Sequence, residues 1–204
     1  MIKTNQIRYI EYAKEFALTR RCHIWLGGSF LRGNPTPFSD VDISVLCDKD
    51  TLSDLIEGYG KTIYLSSTVN PEGILIVIYE DGVALDLEVI EDIDVICGDF
   101  FHEEDIKELR YTRNSLICQE ICTRKDLPYQ MSRLFHRSLI KYLAGKKDVS
   151  IDVANEVAEY IEPGLCITES DYKDKITHLI EKFNDRYPLD EDYRLLLSEL
   201  ADQI

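Results

Sequence analysis

The first chemical signal in the sequence is a pair of carboxylates, Asp40 and Asp42, that alternates with the apolar residues Val41 and Ile43. Alternation with a period of two is typical of a half-buried strand, so both carboxylates belong to one face. Two neighbouring carboxylates repel each other unless a cation lies between them, and their oxygen atoms suit Mg2+. The spacing alone is more typical of a solvated edge strand, so the metal site depends on the residues around the pair.

A glycine-containing loop precedes this pair. The apolar run at residues 22–26 predicts a buried strand that ends at Gly27 and Gly28. Because glycine has no side chain, backbone N–H groups approach a phosphate closely there, and Ser29 adds a hydroxyl donor. A strand, a glycine loop and a second strand with two carboxylates together predict a nucleotide and metal site.

The whole arrangement reads Gly-Ser-x-x-Arg-Gly, five residues, and then Ser-Asp-Val-Asp before an apolar residue. It resembles the signature of the nucleotidyltransferases of the DNA polymerase β superfamily, and it is most similar to the minimal and antibiotic nucleotidyltransferase branches. The resemblance extends over about residues 22–90 and implies a third carboxylate on a later strand. Asp86 matches that position, in an alternating apolar context after the Asp81-Gly82 turn.

This resemblance implies a reaction in which an acceptor hydroxyl attacks the α-phosphorus of a nucleoside triphosphate, expected to be ATP, and pyrophosphate leaves. Asp40, Asp42 and Asp86 match the family's catalytic carboxylates, which hold two Mg2+ ions. Asp86 would also help to deprotonate the acceptor, and Glu88 on the same strand face is the alternative base. The nucleotide-binding residues expected from the loop are Gly27, Gly28, Ser29, Arg32 and Ser39.

The acceptor is constrained mainly by charge. A net charge of −15 disfavours a long nucleic acid, which is bound by clustered lysine and arginine. We therefore expect a small hydroxyl-bearing molecule such as an antibiotic. Adenylylation of a protein partner, as in minimal nucleotidyltransferases that modify a toxin, is the alternative. A non-catalytic nucleotide-binding protein of the same fold is disfavoured, because such a protein has no reason to keep three mutually repelling carboxylates.

Composition predicts an ordinary globular protein. Apolar residues make up 45% of the 204-residue chain, and no apolar run reaches the roughly 18 residues that a membrane span requires. The polar first residues lack a signal-peptide pattern, so we expect a cytoplasmic protein without a membrane partner. Six cysteines without a Cys-x-x-Cys pair predict free, buried thiols. They are Cys22, Cys47, Cys97, Cys118, Cys122 and Cys166.

Hydrophobic periodicity predicts an α+β protein with two domains. Residues 1–98 form a nucleotidyltransferase palm, a mixed β-sheet of four or five strands with flanking helices, and residues 99–204 form a helical bundle. The boundary is placed where eight acids fall between residues 91 and 108 and the strand pattern stops. The predicted strands are 22–26, 41–45, 61–66, 74–79 and 83–90. The predicted helices are 5–20, 50–59, 103–122, 129–144, 151–161, 170–187 and 190–202.

One helix of the second half carries a stripe of cations. Arg133, Arg137 and Lys141 recur every four residues, so they share one helix face. A solvated basic face is the ordinary interpretation of such a stripe. The alternative is that it faces the palm and binds a triphosphate or an anionic acceptor.

Overall fold

The structure is a computed structural model that describes residues 4–20, 22–94, 98–102 and 110–204. The chain forms two compact units, Met1–Arg124 and Lys125–Ile204. The first unit is built on a mixed sheet and the second is helical, which confirms the predicted α+β class.

The sheet of the first unit has seven strands within the described ranges. They are β1 (His23–Leu26), β2 (Val41–Leu46), β3 (Thr62–Ser67), β4 (Ile74–Tyr79), β5 (Ala84–Ile93), β6 (Phe100–His102) and β7 (Tyr111–Arg113). Their order is β3-β4-β5-β2-β1-β6, and β7 pairs with β5 outside this path. β5 is antiparallel to β4, as predicted, and parallel to β2. The expected number of four or five strands was wrong, because β6 and β7 have three residues each and show no periodicity.

Among its described residues, the first unit has four α-helices: α1 (Thr4–Arg20), α2 (Gly28–Leu31), α3 (Lys49–Glu57) and α4 (Ser115–Ile121). The apolar side chains of α1, α3 and α4 form one core with the odd-numbered residues of β2 and β5, for example Val41, Ile43 and Leu87. Alternation along the strands directs the even-numbered residues to the opposite face. The helices therefore cover one face of the central strands, and the polar residues of β2 and β5 lie on the other.

The helix predicted at 103–122 is confirmed over Ser115–Ile121 and was wrong over residues 110–114. Residues 103–109 lie outside the described ranges, β7 follows, and only α4 is helical. Asn114 begins α4, because its side chain accepts a hydrogen bond from the Ile117 N–H at 3.2 Å. β6, β7 and α4 all belong to the first compact unit, which extends beyond residue 98. Where the catalytic domain ends as an independently folding piece stays a prediction.

The thiol predictions hold in part. Cys22, Cys118 and Cys122 are free and buried in the core of the first unit. Burial raises the pKa of Cys22 to about 11 and that of Cys118 to about 12, so both thiols stay protonated at neutral pH. Cys166 is exposed, contrary to expectation, because it lies in the irregular segment that follows Gly164. Cys97 lies outside the described residues.

The second unit contains four helices, as predicted: α5 (Leu127–Leu143), α6 (Lys147–Ile161), α7 (Tyr172–Arg186) and α8 (Glu191–Asp202). Buried polar groups join three of them. The hydroxyl groups of Ser138 and Tyr172 are 2.6 Å apart, and Ser138 donates to the Ser150 carbonyl at 2.9 Å. Each buried hydroxyl group therefore has a hydrogen-bond partner, which is the condition for placing it in a core. Among the described helices of both units, none has the length and apolarity that would carry it across a bilayer.

Candidate active site

The register of two parallel strands brings two of the predicted carboxylates together. In the β2–β5 pair, Asp42 lies opposite Asp86, and Ser44 lies opposite Glu88. Neighbouring strands are about 4.8 Å apart, and residues opposite each other point to the same face of the sheet. Asp42 and Asp86 are therefore lateral neighbours on the face opposite the one against which α1, α3 and α4 pack.

The strands on either side extend this pair into two rows of residues. The Gly27 N–H donates to the Asp42 carbonyl at 2.9 Å, which continues the β1–β2 ladder to the end of β2. Two residues along the strands, Trp25 lies opposite Ser44, and Ile74 lies opposite Glu88. The first row consists of Gly27, Asp42 and Asp86 and ends at Ile76, and the second row is Trp25, Ser44, Glu88 and Ile74. The rows are about 6.7 Å apart, which is two residues of a strand.

The two rows form the floor of a cavity of about 210 Å3. Its lining residues are Trp25, Gly27, Gly28, Asp42, Ile43, Ser44, Ile74, Asp86, Glu88 and Tyr111. Cavities that enclose whole drug-sized ligands are usually larger, about 300–1,000 Å3. This cavity therefore has the size of a reaction centre rather than of a complete nucleotide site.

Gly28 packs directly against one of the carboxylates. Its φ is +62°, and a Cβ atom added to it would lie 1.7 Å from Asp42 Oδ2. No L side chain fits that space, and a positive φ is unfavourable for other residues as well. The glycine predicted from the sequence thus brings the loop backbone into contact with the Asp42 side chain.

Glu88 is held by three side chains from two other strands. Its Oε2 accepts hydrogen bonds from Ser44 Oγ at 3.0 Å and from the Tyr111 hydroxyl at 2.7 Å. Its Oε1 accepts from Arg113 Nε at 3.1 Å and from Arg113 Nη2 at 2.5 Å. Burial lowers the pKa of the Arg113 guanidinium, but the hydrogen bond and charge of Glu88 outweigh this effect and raise it.

The sequence-based prediction missed three residues of this region. Trp25 was assigned to an apolar strand, and Tyr111 and Arg113 to a helix. The rings of Trp25 and Tyr111 meet edge to face, with centroids 5.9 Å apart. The alternation of Tyr111 and Arg113 around Thr112 was the only available signal, and three residues are too few to distinguish a strand from a helix.

Comparison with protein families decides the class. A family model described as a nucleotidyltransferase domain matches residues 8–176. The chain belongs to this family. The match includes both strands of the carboxylate pair and the glycine loop, and it supports transfer of a nucleoside monophosphate in general, with a nucleoside triphosphate as substrate. A search of curated proteins finds no match to this nucleotidyltransferase.

The remaining loop residues of the nucleotidyltransferase have other surroundings. Asp40 lies directly before β2 and is not among the described residues that line the cavity. The Ser39 hydroxyl accepts a hydrogen bond from the Thr36 N–H at 2.8 Å, so it supports the loop itself. Ser29 lies within α2, and Arg32 is exposed at its end. Their roles in nucleotide binding stay predictions.

The described residues were also compared with what a metal ion requires. They include no group of three or more His, Cys, Asp or Glu side chains arranged to hold a metal ion. The register nevertheless assembles two hard oxygen donors, Asp42 and Asp86, beside the backbone of Gly28. Mg2+ is commonly bound by one or two carboxylates, with phosphate oxygens and water as further ligands. The donor set of this nucleotidyltransferase therefore fits a divalent cation that is bound together with a nucleotide.

The basic stripe belongs to α5 in the second unit. Arg137 is exposed, and Arg133 and Lys141 are half-buried. The three residues share one helix face, as their spacing predicts. Contact of this stripe with a phosphate or a substrate stays a prediction.

Proposed function

We propose that this nucleotidyltransferase transfers AMP from ATP to a hydroxyl group of a small molecule, for example an antibiotic, in a reaction that depends on Mg2+. One observation carries the proposal. Asp42 and Asp86 are register partners on the face of the sheet opposite the helices of the first unit, and the Gly28 backbone packs against Asp42. Two carboxylates beside a glycine loop are what metal-assisted phosphoryl transfer requires.

In the proposed reaction, the backbone N–H group of Gly28 and the Ser29 hydroxyl bind the β- and γ-phosphates, while Gly27, whose N–H stays in the β1–β2 ladder, lets the nucleotide approach closely. Asp42 and Asp86, with Asp40 at the start of β2, would hold two Mg2+ ions. When bound, these ions neutralise charge on the attacking and leaving oxygens. Asp86 accepts the proton of the acceptor hydroxyl, because it lies in the row that also contains the metal ligand Asp42. Arg32 and Ser39 would contribute further nucleotide contacts.

The cavity supports a small acceptor group. Its second row and β7 provide apolar and aromatic surface, namely Ile74, Trp25 and Tyr111. A volume of about 210 Å3 admits the reacting part of a molecule. The net charge of −15 also opposes a polyanionic acceptor. A tyrosine or serine side chain of a protein partner would meet the same steric limits, so the protein alternative is an outcome of the test.

The test is a labelling experiment with ATP that is radiolabelled at the α-phosphate. The purified chain, Mg2+ and a cell lysate are incubated, and the small-molecule, protein and nucleic acid fractions are counted separately. We expect label in the small-molecule fraction and a loss of roughly 100-fold or more for Asp42→Asn. Asp50→Asn, an exposed residue of α3, is the matched control and should retain full labelling.

Label in a protein band would show that the acceptor is a protein and not a small molecule. Absence of label from every fraction, with ATP still bound, would identify a non-catalytic nucleotide-binding protein. Equal labelling by Asp42→Asn and Asp50→Asn would remove the carboxylate pair from the mechanism.

A further inference from the structure

The Glu88 carboxylate has used its whole capacity for hydrogen bonds. An ionised carboxylate offers about four lone-pair positions. Ser44 Oγ and the Tyr111 hydroxyl occupy Oε2, and two nitrogen atoms of Arg113 occupy Oε1. A general base needs a lone pair directed at the proton that it removes. Glu88 would have to release one of these donors before it could accept that proton.

Glu88 also lies one row away from the carboxylate pair. Asp86 is opposite Asp42, whereas Glu88 is opposite Ser44, two residues further along both strands. The separation of the rows is about 6.7 Å, more than twice the length of a hydrogen bond. An acceptor hydroxyl beside Asp42 and Asp86 is therefore within reach of Asp86 first.

The partners of Glu88 lie where β5 changes its neighbour. β4 pairs with β5 up to Glu88, which lies opposite Ile74, the first residue of β4. From Ile90 onwards β5 pairs with β7, and Arg113 lies opposite Ile90. A strand of only three residues contributes few ladder hydrogen bonds, so side chains decide whether it stays paired. Gly73 provides the space for this junction, because a Cβ atom there would lie 2.5 Å from Arg113 Cβ.

We propose that Glu88 is a positioning residue: it binds Tyr111 and Arg113, fixes β7 against β5, and thereby holds Tyr111 and Trp25 as the aromatic wall of the acceptor side of the cavity. Asp86 remains the base of the reaction. The assignment of the wall to the acceptor rests on the proposed function. The attachment of β7 by Glu88 does not.

Trp25 makes the attachment measurable without any acceptor. It is the only tryptophan of the chain, it is almost fully buried, and its ring meets the ring of Tyr111. If β7 detaches, Trp25 becomes accessible to solvent. Quenching of its fluorescence by acrylamide therefore reports the position of β7, and hydrogen exchange at residues 111–114 reports the loss of its ladder.

The variants are Arg113→Ala, Glu88→Gln and the double variant, each with an unchanged circular dichroism spectrum as a condition. Arg110→Ala removes an exposed arginine from the same segment and is the matched control. We expect Arg113→Ala and Glu88→Gln to raise the quenching constant by about twofold and to speed exchange by about tenfold. The double variant should show a smaller change than the sum of the two single variants, because both substitutions remove the contact between Glu88 and Arg113. Arg110→Ala should behave as the wild type.

Unchanged quenching and exchange in both single variants would overturn the attachment, whatever the chain transfers. If either variant fails to fold, Arg113→Lys keeps the charge with fewer donors and should give an intermediate quenching constant. The proposal would also be contradicted if Arg113→Lys and a folded Tyr111→Phe variant both had the quenching constant of the wild type. These measurements stay valid if the labelling experiment detects no transfer.

Where transfer is detected, its pH profile separates the two roles of Glu88. If Glu88 is a positioning residue, Glu88→Gln and Arg113→Ala should each lower transfer to the labelled fraction, and the two losses should agree within about tenfold. The shape of the pH profile should stay unchanged. A general base predicts a loss of about 100-fold or more for Glu88→Gln, with the acidic limb of the profile removed, while Arg113→Ala keeps its activity. The second pattern would overturn the proposal.

Discussion

Replacement of Gly28 by alanine is a direct test of the contact between the glycine loop and the carboxylate pair. The added Cβ atom would lie 1.7 Å from Asp42 Oδ2, whereas ordinary contacts begin at 3.4 Å. The loop or the carboxylate must therefore move by at least about 1.5 Å, and a misplacement of about 1 Å can cost roughly 100-fold in rate. We expect Gly28→Ala to reduce transfer by about 100-fold or more and to lower the free energy of unfolding by about 1–3 kcal/mol.

The chain offers a matched control in the same loop. Gly33 also has a positive φ, +68°, but a Cβ atom there would have no neighbour within 4 Å. Gly33→Ala therefore includes the backbone strain of about 1–2 kcal/mol without displacing Asp42. Thermal unfolding and the labelling assay are measured for both variants. The double variant Gly28→Ala with Asp42→Ala should recover part of the lost stability, because the two shortest contacts, with Asp42 Oδ2 and Cγ, are removed and only the one with Asp42 Cβ at 2.8 Å remains.

Equal losses of activity for Gly28→Ala and Gly33→Ala would refute this reasoning. In that case the left-handed conformation of the loop, and not the contact with Asp42, would determine activity. A Gly28→Ala variant with wild-type transfer would refute the proposed position of the carboxylate as well.

Three further predictions concern the nucleotide, the basic stripe and the second unit. Mg2+ and ATP together should raise the melting temperature more than either alone, because phosphate oxygens complete the metal site. Asp42→Ala should lose this joint effect. Without ligand, that variant should be at least as stable as the wild type, because the substitution relieves repulsion between carboxylates. If the α5 stripe faces a bound phosphate, Arg137→Glu should weaken the binding of a non-hydrolysable ATP analogue by roughly 1–3 kcal/mol at low salt. Most of that effect should remain at high salt. If the variant and the wild type bind the analogue equally well at both salt concentrations, the stripe is an ordinary solvated face. The hydrogen bond from Lys175, and then that from the Thr168 N–H, lowers the pKa of Asp171 from 3.8 to about 2. Because the unfolded chain binds this proton first as the pH falls, the contribution of Asp171 is present above pH 3.8 and is lost towards about pH 2. The difference in melting temperature between wild type and Lys175→Ala should therefore shrink over that range, and a constant difference would contradict the assignment.

The central strands were predictable because the sequence of each one indicates both its secondary structure and its chemical role. In β2 and β5, apolar residues alternate with carboxylates, so the strand type, the buried face and the chemical face all follow from one pattern. The resemblance to the nucleotidyltransferases assigned Asp42 and Asp86 to one site, but neither the resemblance nor the periodicity predicted that the two residues lie opposite each other. Register between strands distant in sequence depends on long-range packing.

The second row of the cavity was not predictable for the same reason. Trp25, Ser44 and Glu88 become neighbours only when β1, β2 and β5 align, and their spacing in the sequence gives no sign of it. β7 follows the stretch that is rich in acids, and its three residues carry no periodic signal. Its position is decided by the hydrogen bonds of Tyr111 and Arg113 with Glu88.

The sheet order determines when the reaction centre forms during folding. β3, β4 and β5 pair as consecutive neighbours, β1 pairs with β2, and these two groups join only along the β2–β5 seam. The two facing carboxylates belong to opposite sides of that seam. Their meeting requires closure of the chain between Asp42 and Asp86, a slower event than pairing of adjacent hairpins. A nascent chain therefore acquires the carboxylate pair only after β5 has emerged, and transient opening of this one seam would separate the pair while the hairpins on each side stay formed.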